Sequence, residues 1–241
     1  MARLRNDLGI YERHADDWWN ADSAFAGSLH GVNALAIAQV RAQLGARIRG
    51  AAIVDLACGG GLVCEPLARD GARVVGIDLG ARTLRAAAAH GAGVAALSYV
   101  LADAAAPPLD GGWADLVVCA DALEHIPRWH GLIEHAARLL KPGGLFYALT
   151  LNRTWLARWV AVHLAEGIGI VPRGTHDPAL FIRPDELDAA AAGAGLRCQR
   201  HIGQRLRLWR TLKRWRVAMD EGRNMAITYS AWYVKARGGG P

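Results

Sequence analysis

The pattern of apolar residues changes at residue 51. From there, five short apolar segments of β-type composition alternate with alanine-rich segments of helical periodicity. The strand candidates are 51–56, 73–77, 98–101, 114–119 and 144–150, and the helix candidates between them are 62–70, 81–90 and 130–140. Strands that alternate with helices predict βαβ units, and right-handed crossovers build these into a doubly wound parallel sheet.

Two further strand candidates, 197–203 and 225–236, predict an antiparallel pair at the end of the chain. We therefore expect an α/β, Rossmann-like fold with a mostly parallel seven-stranded sheet, an antiparallel last strand and an inserted lid. We expect the chain to form a single domain, 1–241. Its parts are a helical cap at 1–50, the core at 51–150, the lid at 151–185, and a C-terminal helix and strands at 186–241. A turn is expected at 141–144 and disorder only at 238–241.

Composition narrows the class of protein. Hydrophobic residues make up 52% of the 241, and the formal net charge of +6 is too small to define a partner by itself. The four cysteines have no C-x-x-C spacing, which suggests neither a zinc site nor a redox dithiol. The N-terminal residues lack the apolar segment of a signal peptide, and no apolar run is long enough to span a bilayer. We expect a cytoplasmic protein.

A glycine-rich turn follows the first strand candidate, at residues 55–61. Glycines let a backbone approach a ligand closely, and the helix after such a turn offers free N–H groups. Asp78 ends the second strand, where an acid accepts hydrogen bonds from ribose hydroxyls. Asp103 follows the third strand, in a position to meet an adenine amino group. The alternative is that the glycines only make a tight strand-to-helix turn.

This order of acid, glycine turn, ribose acid and adenine acid, with Leu-Leu-Lys-Pro-Gly-Gly at 139–144, resembles class I S-adenosylmethionine-dependent methyltransferases. Their first motif is commonly Asp-x-Gly-x-Gly-x-Gly, and this chain departs from it at Ala57, whose methyl narrows the space beside the methionine moiety. The resemblance implies that S-adenosylmethionine is bound by Asp55, Ala57, Cys58, Gly59, Gly61, Asp78, Leu79, Asp103, Ala104 and Ala120.

Five more segments are similar to the ubiquinone-biosynthesis O-methyltransferases: 17–20, 29–33, 121–127, 149–153 and 172–177. The similarity covers roughly residues 11–200 and implies methylation of a hydroxyl on a polyprenylated dihydroxy-aromatic ring. The family usually carries basic residues where this chain has Gly31 and Ala36, and one of them is expected to contact the cofactor carboxylate.

Removal of the phenol proton requires a general base or a metal ion. If Leu123 opens a helix, then Asp121, Glu124 and His125 share one face and form a candidate site for Mg²⁺ or another divalent cation. Glu124 and His125 are also candidate catalytic residues. The alternative is an acid cluster that caps a helix. His176 is a second candidate base, oriented by Asp177, unless 174–178 is only a structural turn.

Two segments suggest contact with a membrane surface. Residues 151–171 carry an apolar face at helical spacing that includes Trp155 and Trp159, and 197–216 are rich in arginine with Trp209 and Trp215 interleaved. Basic residues with tryptophan suit an anionic lipid surface, which predicts peripheral association with the inner face of the membrane. The alternative is a plain lid and a solvated basic face. Nucleic acid is not an expected partner, because no RNA-binding domain or amine-methylation signature is visible, and the oligomeric state stays open.

Two other functions stay open at this point. One is an O- or N-methyltransferase of specialised metabolism with a soluble aromatic substrate, which the departures at Gly31 and Ala36 favour. The other is a cofactor-binding partner in a biosynthetic complex that does no catalysis.

Overall fold

The structure is a computed structural model that describes residues 6–20, 22–214 and 217–237. One eight-stranded sheet forms its centre, in the order β3-β2-β1-β4-β5-β8-β6-β7. The strands are β1 Ala52–Leu56, β2 Arg73–Asp78, β3 Leu97–Leu101, β4 Ala114–Ala120, β5 Leu140–Leu151, β6 Leu196–Leu206, β7 Met219–Gly222 and β8 Thr228–Lys235.

Strands β1 to β5 pair in parallel, and β8 lies antiparallel between β5 and β6. The prediction of an α/β, mostly parallel sheet with an antiparallel C-terminal strand is therefore confirmed. The short strand β7 adds an eighth strand at the edge, antiparallel to β6, which the apolar pattern did not predict. The carboxyl ends of β1 to β5 meet at one edge of the sheet, where ligands bind in folds of this kind.

Helices cover both faces of the sheet. They are α1 Gly9–Arg13, α2 Ala24–Leu44, α3 Cys64–Arg69, α4 Ala81–His90, α5 Trp129–Leu139, α6 Trp155–Arg158, α7 Pro184–Gly193 and α8 Leu208–Arg214. One apolar cluster joins α5 and α7 to the sheet through Leu132 and Leu187. A second cluster, on the other face, joins α2 and α3 through Val40 and Leu67. Successive residues of a strand belong to one cluster and then to the other, because their side chains point to opposite faces of the sheet and both faces are buried.

Some predicted boundaries differ from the observed ones. The turn expected at 141–144 is wrong: these residues form an irregular start of β5, where the pairing with β4 shifts register and Gly143 has a φ of +78°. The lid is not one regular amphipathic helix, because α6 continues into a π-helical turn, Trp159–Ala165. The tail at 238–241 lies outside the described residues.

The N-terminal cap is tied to the core by specific contacts. The Glu12 carboxylate accepts hydrogen bonds from the backbone N–H groups of Arg82 and Thr83, both at 3.1 Å, at the start of α4. An acid at this end of a helix also complements the helix dipole. The cap is therefore held over the carboxyl edge of the sheet.

Helix α2 approaches the C-terminal segment very closely at Gly31. A Cβ built on Gly31 would lie 1.8 Å from the carbonyl oxygen of Val217, so no larger side chain fits there. Ala36, on the same helix, is completely buried. The packing of α2 therefore leaves no room for a long basic side chain at position 31 or 36, where the family that the sequence resembles usually has one.

In the part of the chain that the structure describes, none of the helices has the length and apolar character needed to cross a bilayer.

We expect Gly31→Ala to lower the free energy of unfolding by roughly 1–3 kcal/mol, the usual cost of overpacking, because the new methyl displaces the Val217 backbone. Gly193→Ala in α7 is the matched control: its Cβ meets nothing within 4 Å, and the helix should gain up to about 1 kcal/mol. Urea denaturation measures both. Equal stability of Gly31→Ala and the wild type would contradict the close approach.

Candidate active site

The loop after β1 has an unusual backbone. Ala57, Gly59 and Gly61 have φ values of +58°, +52° and +79°. Glycine adopts this left-handed region freely, whereas alanine is strained there by its Cβ. The loop is therefore built for glycines, and Ala57 adopts the same left-handed conformation as Gly59 and Gly61 at a cost in stability.

Trp18 lies against this loop. A Cβ on Gly59 would be 2.2 Å from Cη2 of Trp18, and a Cβ on Gly60 would be 2.5 Å from its Cγ. The neighbouring Trp19 donates a hydrogen bond from Nε1 to the carbonyl oxygen of Gly60, at 3.0 Å. The glycines therefore also serve to seat the N-terminal cap, a contact that the sequence did not predict.

Asp78 is fixed at the end of β2. Its carboxylate accepts hydrogen bonds from the backbone N–H groups of Gly59, at 2.9 Å, and Gly80, at 2.8 Å. Burial raises the pKa of this carboxyl, although the backbone hydrogen bonds oppose the shift. Leu79, the next residue, is 68% exposed. A half-buried acid beside an exposed apolar side chain fits a nucleoside, whose ribose is polar and whose base stacks on apolar surface.

The other predicted cofactor residues surround this point. Asp55 is buried, accepts a hydrogen bond from the Cys64 thiol at 3.1 Å, and has its pKa raised to about 7, mainly by burial. Asp103 is exposed, and its carboxylate accepts the N–H of Ala105 at 2.8 Å. The remaining predicted residues lie in the same loops at the carboxyl ends of β1, β3 and β4: Cys58, Ala104 and Ala120. Their contacts with the cofactor stay predictions.

Two carboxyl groups follow β4. Asp121 has a φ of +56°, a strained conformation of the sort found at functional sites. Glu124 is fully buried and accepts a hydrogen bond from the Thr150 hydroxyl at 2.8 Å. Burial raises the pKa of both carboxyls, and the charge of Asp121 raises that of Glu124 further. The pair therefore favours protonation of Glu124.

His125 is held between the cap and the lid. Its Nε2 shares a hydrogen bond with the Tyr11 hydroxyl at 3.2 Å, and its ring stacks on that of His176 at 5.5 Å between centroids. Burial lowers the pKa of His125 to about 3, and the neighbouring His176 lowers it too. His125 is therefore a neutral ring at physiological pH.

His176 is oriented by an acid that the sequence did not indicate. Its Nδ1 lies 3.2 Å from Oε1 of the buried Glu166, and the same carboxylate accepts the backbone N–H groups of His176 and Gly174. Burial alone would raise the pKa of Glu166, but these hydrogen bonds outweigh it and lower the pKa. The predicted partner, Asp177, instead accepts the N–H of Ala179.

The geometry does not fit the predicted metal site. Asp121, Glu124 and His125 do not bring three ligand atoms within 4.8 Å of one another. Residues 123–125 form a single 3-10 turn rather than the start of an α-helix, and Asp121 precedes it in a left-handed conformation. The spacing rule for one helical face therefore does not apply, and these three side chains do not support a Mg²⁺ site.

A large cavity opens beside these groups, with an empty volume of about 1140 Å³, part of it open to solvent. Tyr11, Asp121, His125 and His176 line it together. Most of the other lining is apolar and comes from α2, the lid and the C-terminal strands, for example Leu29, Val32, Val160, Leu164, Leu206 and Met219. A mostly apolar cavity with a few convergent polar groups is typical of a site for a small organic molecule.

We expect Ala57→Gly to raise the free energy of unfolding by about 1 kcal/mol, because glycine relieves the strain of a positive φ. Ala88→Gly, at an exposed position of α4, is the matched control and should lose about 1 kcal/mol. Urea denaturation distinguishes the two, and a loss of stability in both variants would contradict the left-handed conformation of Ala57.

The sequence is similar to those of known methyltransferases. A family model described as a methyltransferase domain matches residues 54–148. Ubiquinone biosynthesis O-methyltransferase of Chelativorans sp. (strain BNC1) is 38% identical over 210 residues, which cover 80% of this chain and 82% of the relative. The enzyme of the same name from Ralstonia nicotianae is 39% identical over 193 residues, covering 79% of this chain and 80% of the relative.

Solved structures agree on the fold. A possible histamine N-methyltransferase of Thermotoga maritima has a TM-score of 0.65 at 16% identity, with 95% of this chain and 100% of that one covered. Magnesium protoporphyrin IX methyltransferase of Synechocystis, with bound S-adenosylhomocysteine, has a TM-score of 0.63 at 18% identity, with 96% and 95% covered.

The degree and extent of this identity place the chain in the family of ubiquinone biosynthesis O-methyltransferases, and it is an S-adenosylmethionine-dependent methyltransferase.

Proposed function

We propose that the protein methylates a hydroxyl of a prenylated dihydroxy-aromatic ring, a quinol of the ubiquinone type. The cavity carries this proposal, because it combines one cluster of polar groups with a long apolar lining. The polar cluster suits the hydroxylated ring, and the apolar lining suits the prenyl tail. Burial of such a tail contributes about 0.8 kcal/mol for each buried CH₂ group.

His176 is the base that the geometry favours. With Nδ1 bonded to Glu166, its Nε2 keeps a lone pair that accepts the proton of the substrate hydroxyl. The Glu166 carboxylate then stabilises the imidazolium that forms, and it fixes the ring's tautomer throughout. S-adenosylmethionine would be held by the residues at the carboxyl ends of β1 to β4, and when bound it would supply the methyl group from its sulfonium to the deprotonated hydroxyl oxygen of the ring.

The neighbouring groups position the ring. His125 is kept neutral by burial, so it adds no charge that would oppose proton transfer to His176. Its contact with the Tyr11 hydroxyl joins the cap to this wall of the cavity. Asp121 lines the same wall, where its carboxylate is placed to accept a hydrogen bond from a ring hydroxyl.

Two buried polar atoms elsewhere in the cavity support an oxygenated substrate. Gln204 and Thr228 line the cavity, and among the described residues their Oε1 and Oγ1 atoms have no hydrogen-bond partner. A buried polar atom without a partner costs about 1–3 kcal/mol. A second hydroxyl of the substrate ring would donate a hydrogen bond to Gln204 Oε1 and accept one from the Thr228 hydroxyl.

The surface around the cavity suits contact with a membrane. Ile168 and Leu208 line the cavity and are exposed, and Trp209, the next residue, is 79% exposed. In the lid, Trp155 is 79% and Trp159 is 51% exposed. We propose that this surface docks on anionic lipid, which would let the tail of a quinol enter the cavity directly.

The basic groups at this surface are fewer than the sequence suggested. Arg205 and Arg207 both form ion pairs with Asp220 of β7, and Arg153 pairs with Glu186. Arg158 and Arg210 are exposed and remain the charges best placed for lipid headgroups. Trp215 and Arg216 lie outside the described residues.

The catalytic test is methyl transfer from labelled S-adenosylmethionine to a short-tailed catechol quinol. We expect His176→Gln to lower kcat by about 10²- to 10⁴-fold, the usual contribution of a general base. Glu166→Gln should lower it less and change the pH profile, because the amide keeps a hydrogen bond but not the charge. EDTA should leave turnover unchanged, since the three predicted metal ligands do not converge.

His163→Gln, an exposed histidine of the lid, is the control and should retain wild-type kcat. Calorimetry with S-adenosylmethionine checks that each variant still binds the cofactor. Absence of turnover in a wild-type protein that binds the cofactor would overturn the quinol assignment and favour a soluble aromatic substrate. Loss of turnover in EDTA, restored by Mg²⁺, would overturn the metal-independent mechanism.

The membrane test is co-sedimentation with vesicles of mixed anionic and zwitterionic phospholipid. Trp155→Ala combined with Trp209→Ala should weaken vesicle binding by roughly tenfold or more, because two aromatic side chains that anchor the protein at the lipid interface are lost. Turnover of a short-tailed, soluble catechol should not change. Leu101→Ala removes an exposed apolar side chain of β3, at the edge of the sheet farthest from β6 and β7, and should bind as the wild type does. Unchanged binding of the double variant would contradict the docking surface.

A further inference from the structure

A second cluster of reactive side chains lies outside the active site, between α7 and β6. Asp188 of α7, with Cys198 and His201 of β6, brings together a carboxylate oxygen, a sulfur and an imidazole nitrogen, all within 4.8 Å of one another. None of the three residues lines the substrate cavity. Methyl transfer therefore does not account for this cluster.

A β-bulge creates the cluster. Positions three apart in a regular strand point to opposite faces of a sheet. In β6, however, Cys198 pairs with Tyr233 and His201 pairs with Ala231, which leaves one extra residue between them. Because their partners are two residues apart on β8, Cys198 and His201 lie on the same face, the one covered by α7. Bulges re-aim side chains in this way at functional sites.

The spacing of the three atoms is compatible with a tetrahedral metal ion. His201 Nε2 lies 3.0 Å from Asp188 Oδ1 and 3.9 Å from Cys198 Sγ. A tetrahedral Zn²⁺ with sulfur at about 2.3 Å and nitrogen or oxygen at about 2.0 Å holds its ligand atoms roughly 3.3–3.6 Å apart. The observed distances bracket that value, so small side-chain rotations would suffice.

We propose that Asp188, Cys198 and His201 form a Zn²⁺ site with three protein ligands and a water molecule in the fourth position. The mixture of sulfur, nitrogen and oxygen donors suits zinc rather than Mg²⁺ or Ca²⁺, which prefer oxygen alone. The side chains of Asp188 and His201 are 37% and 21% exposed, which leaves room for the water.

Second contacts hold two of the ligands in place. The Tyr233 hydroxyl donates a hydrogen bond to Asp188 Oδ1 at 2.8 Å, and the Tyr229 ring meets His201 edge to face. Partners of this kind orient metal ligands and raise affinity. The ion would cross-link α7, the helix that follows the lid, to β6, the strand that carries Gln204.

Zinc binding at this site must release a proton. A cysteine thiol is ordinarily protonated at neutral pH, and only its thiolate binds a metal ion. Zinc binds the thiolate, so the S–H bond breaks, the electron pair goes to the metal and the proton goes to solvent. His201 gives up its hydrogen bond to Asp188, the ring proton moves from Nε2 to Nδ1, and the lone pair freed on Nε2 binds the ion.

The test is titration of chelator-treated full-length protein with Zn²⁺ by calorimetry, and with Co²⁺ by absorption. We expect one ion per chain, a thiolate-to-cobalt charge-transfer band, and a binding heat that changes with the ionisation enthalpy of the buffer. Cys198→Ala should remove the band and weaken Zn²⁺ binding at least about tenfold. His201→Gln should weaken it similarly.

Asp185→Asn is the matched control, because it neutralises another acid of α7 outside the cluster and should bind as the wild type does. Circular dichroism and S-adenosylmethionine binding verify that Cys198→Ala is folded. Absence of saturable Zn²⁺ binding by the wild type would overturn the site and leave Tyr233–Asp188–His201 as a hydrogen-bonded group only. Equal binding by the wild type and Cys198→Ala would also overturn it, by placing the ion elsewhere.

Discussion

The buried carboxylate of Glu166 is the interaction on which the active site depends. It lies just after the π-helical turn of the lid and accepts hydrogen bonds from two backbone N–H groups and one ring nitrogen of residues 174–176. A buried charge is tolerated only when its hydrogen-bonding capacity is used in this way. The same contacts hold His176 against His125 and connect the two ends of the lid beside the cavity, so one side chain fixes both the candidate base and the segment that encloses it.

The sheet provides the second constraint. Its carboxyl edge brings together loops that are distant in sequence, and the cap closes over them through Trp18 at the glycines and Tyr11 at His125. The glycine-rich loop after β1 and the polar groups after β4 are therefore neighbours because β1 and β4 are adjacent and parallel. The apolar lining is added later in the chain, by the lid and by the strands after α7.

The parts of this arrangement that are local in sequence were predictable. Alternating apolar segments and glycine punctuation locate β1 to β4 and the acids Asp55 and Asp78, because periodicity and turn chemistry act over a few residues. Glu166 was missed because its segment reads first as an apolar helical face, and nothing in that pattern indicates which loop its carboxylate meets. The prediction that Asp121, Glu124 and His125 share one face assumed a regular helix that the backbone does not form.

Other features depend on contacts that no local pattern encodes. The need for glycine at position 31 comes from the Val217 backbone, which is 186 residues away in sequence. The side of the sheet on which Cys198 lies is determined by a bulge in β6. Trp155 and Trp159, which the sequence placed on an apolar face of the lid, are exposed in the structure, and their contact with a membrane stays a prediction. The number of arginine charges available to a partner was overestimated. Asp220, which pairs with Arg205 and Arg207, lies beyond the arginine-rich segment in sequence.

The position of β8 has a consequence for synthesis. This strand follows the other seven in sequence, yet it lies in the interior of the sheet between β5 and β6, and it contributes the fully buried Tyr229, Trp232 and Tyr233. Until β8 has been synthesised, the part of the sheet beyond β5 has no central strand, and the edges of β5 and β6 are open to pairing with other chains. The two parts of the sheet therefore join only when β8 pairs with both, a long-range step.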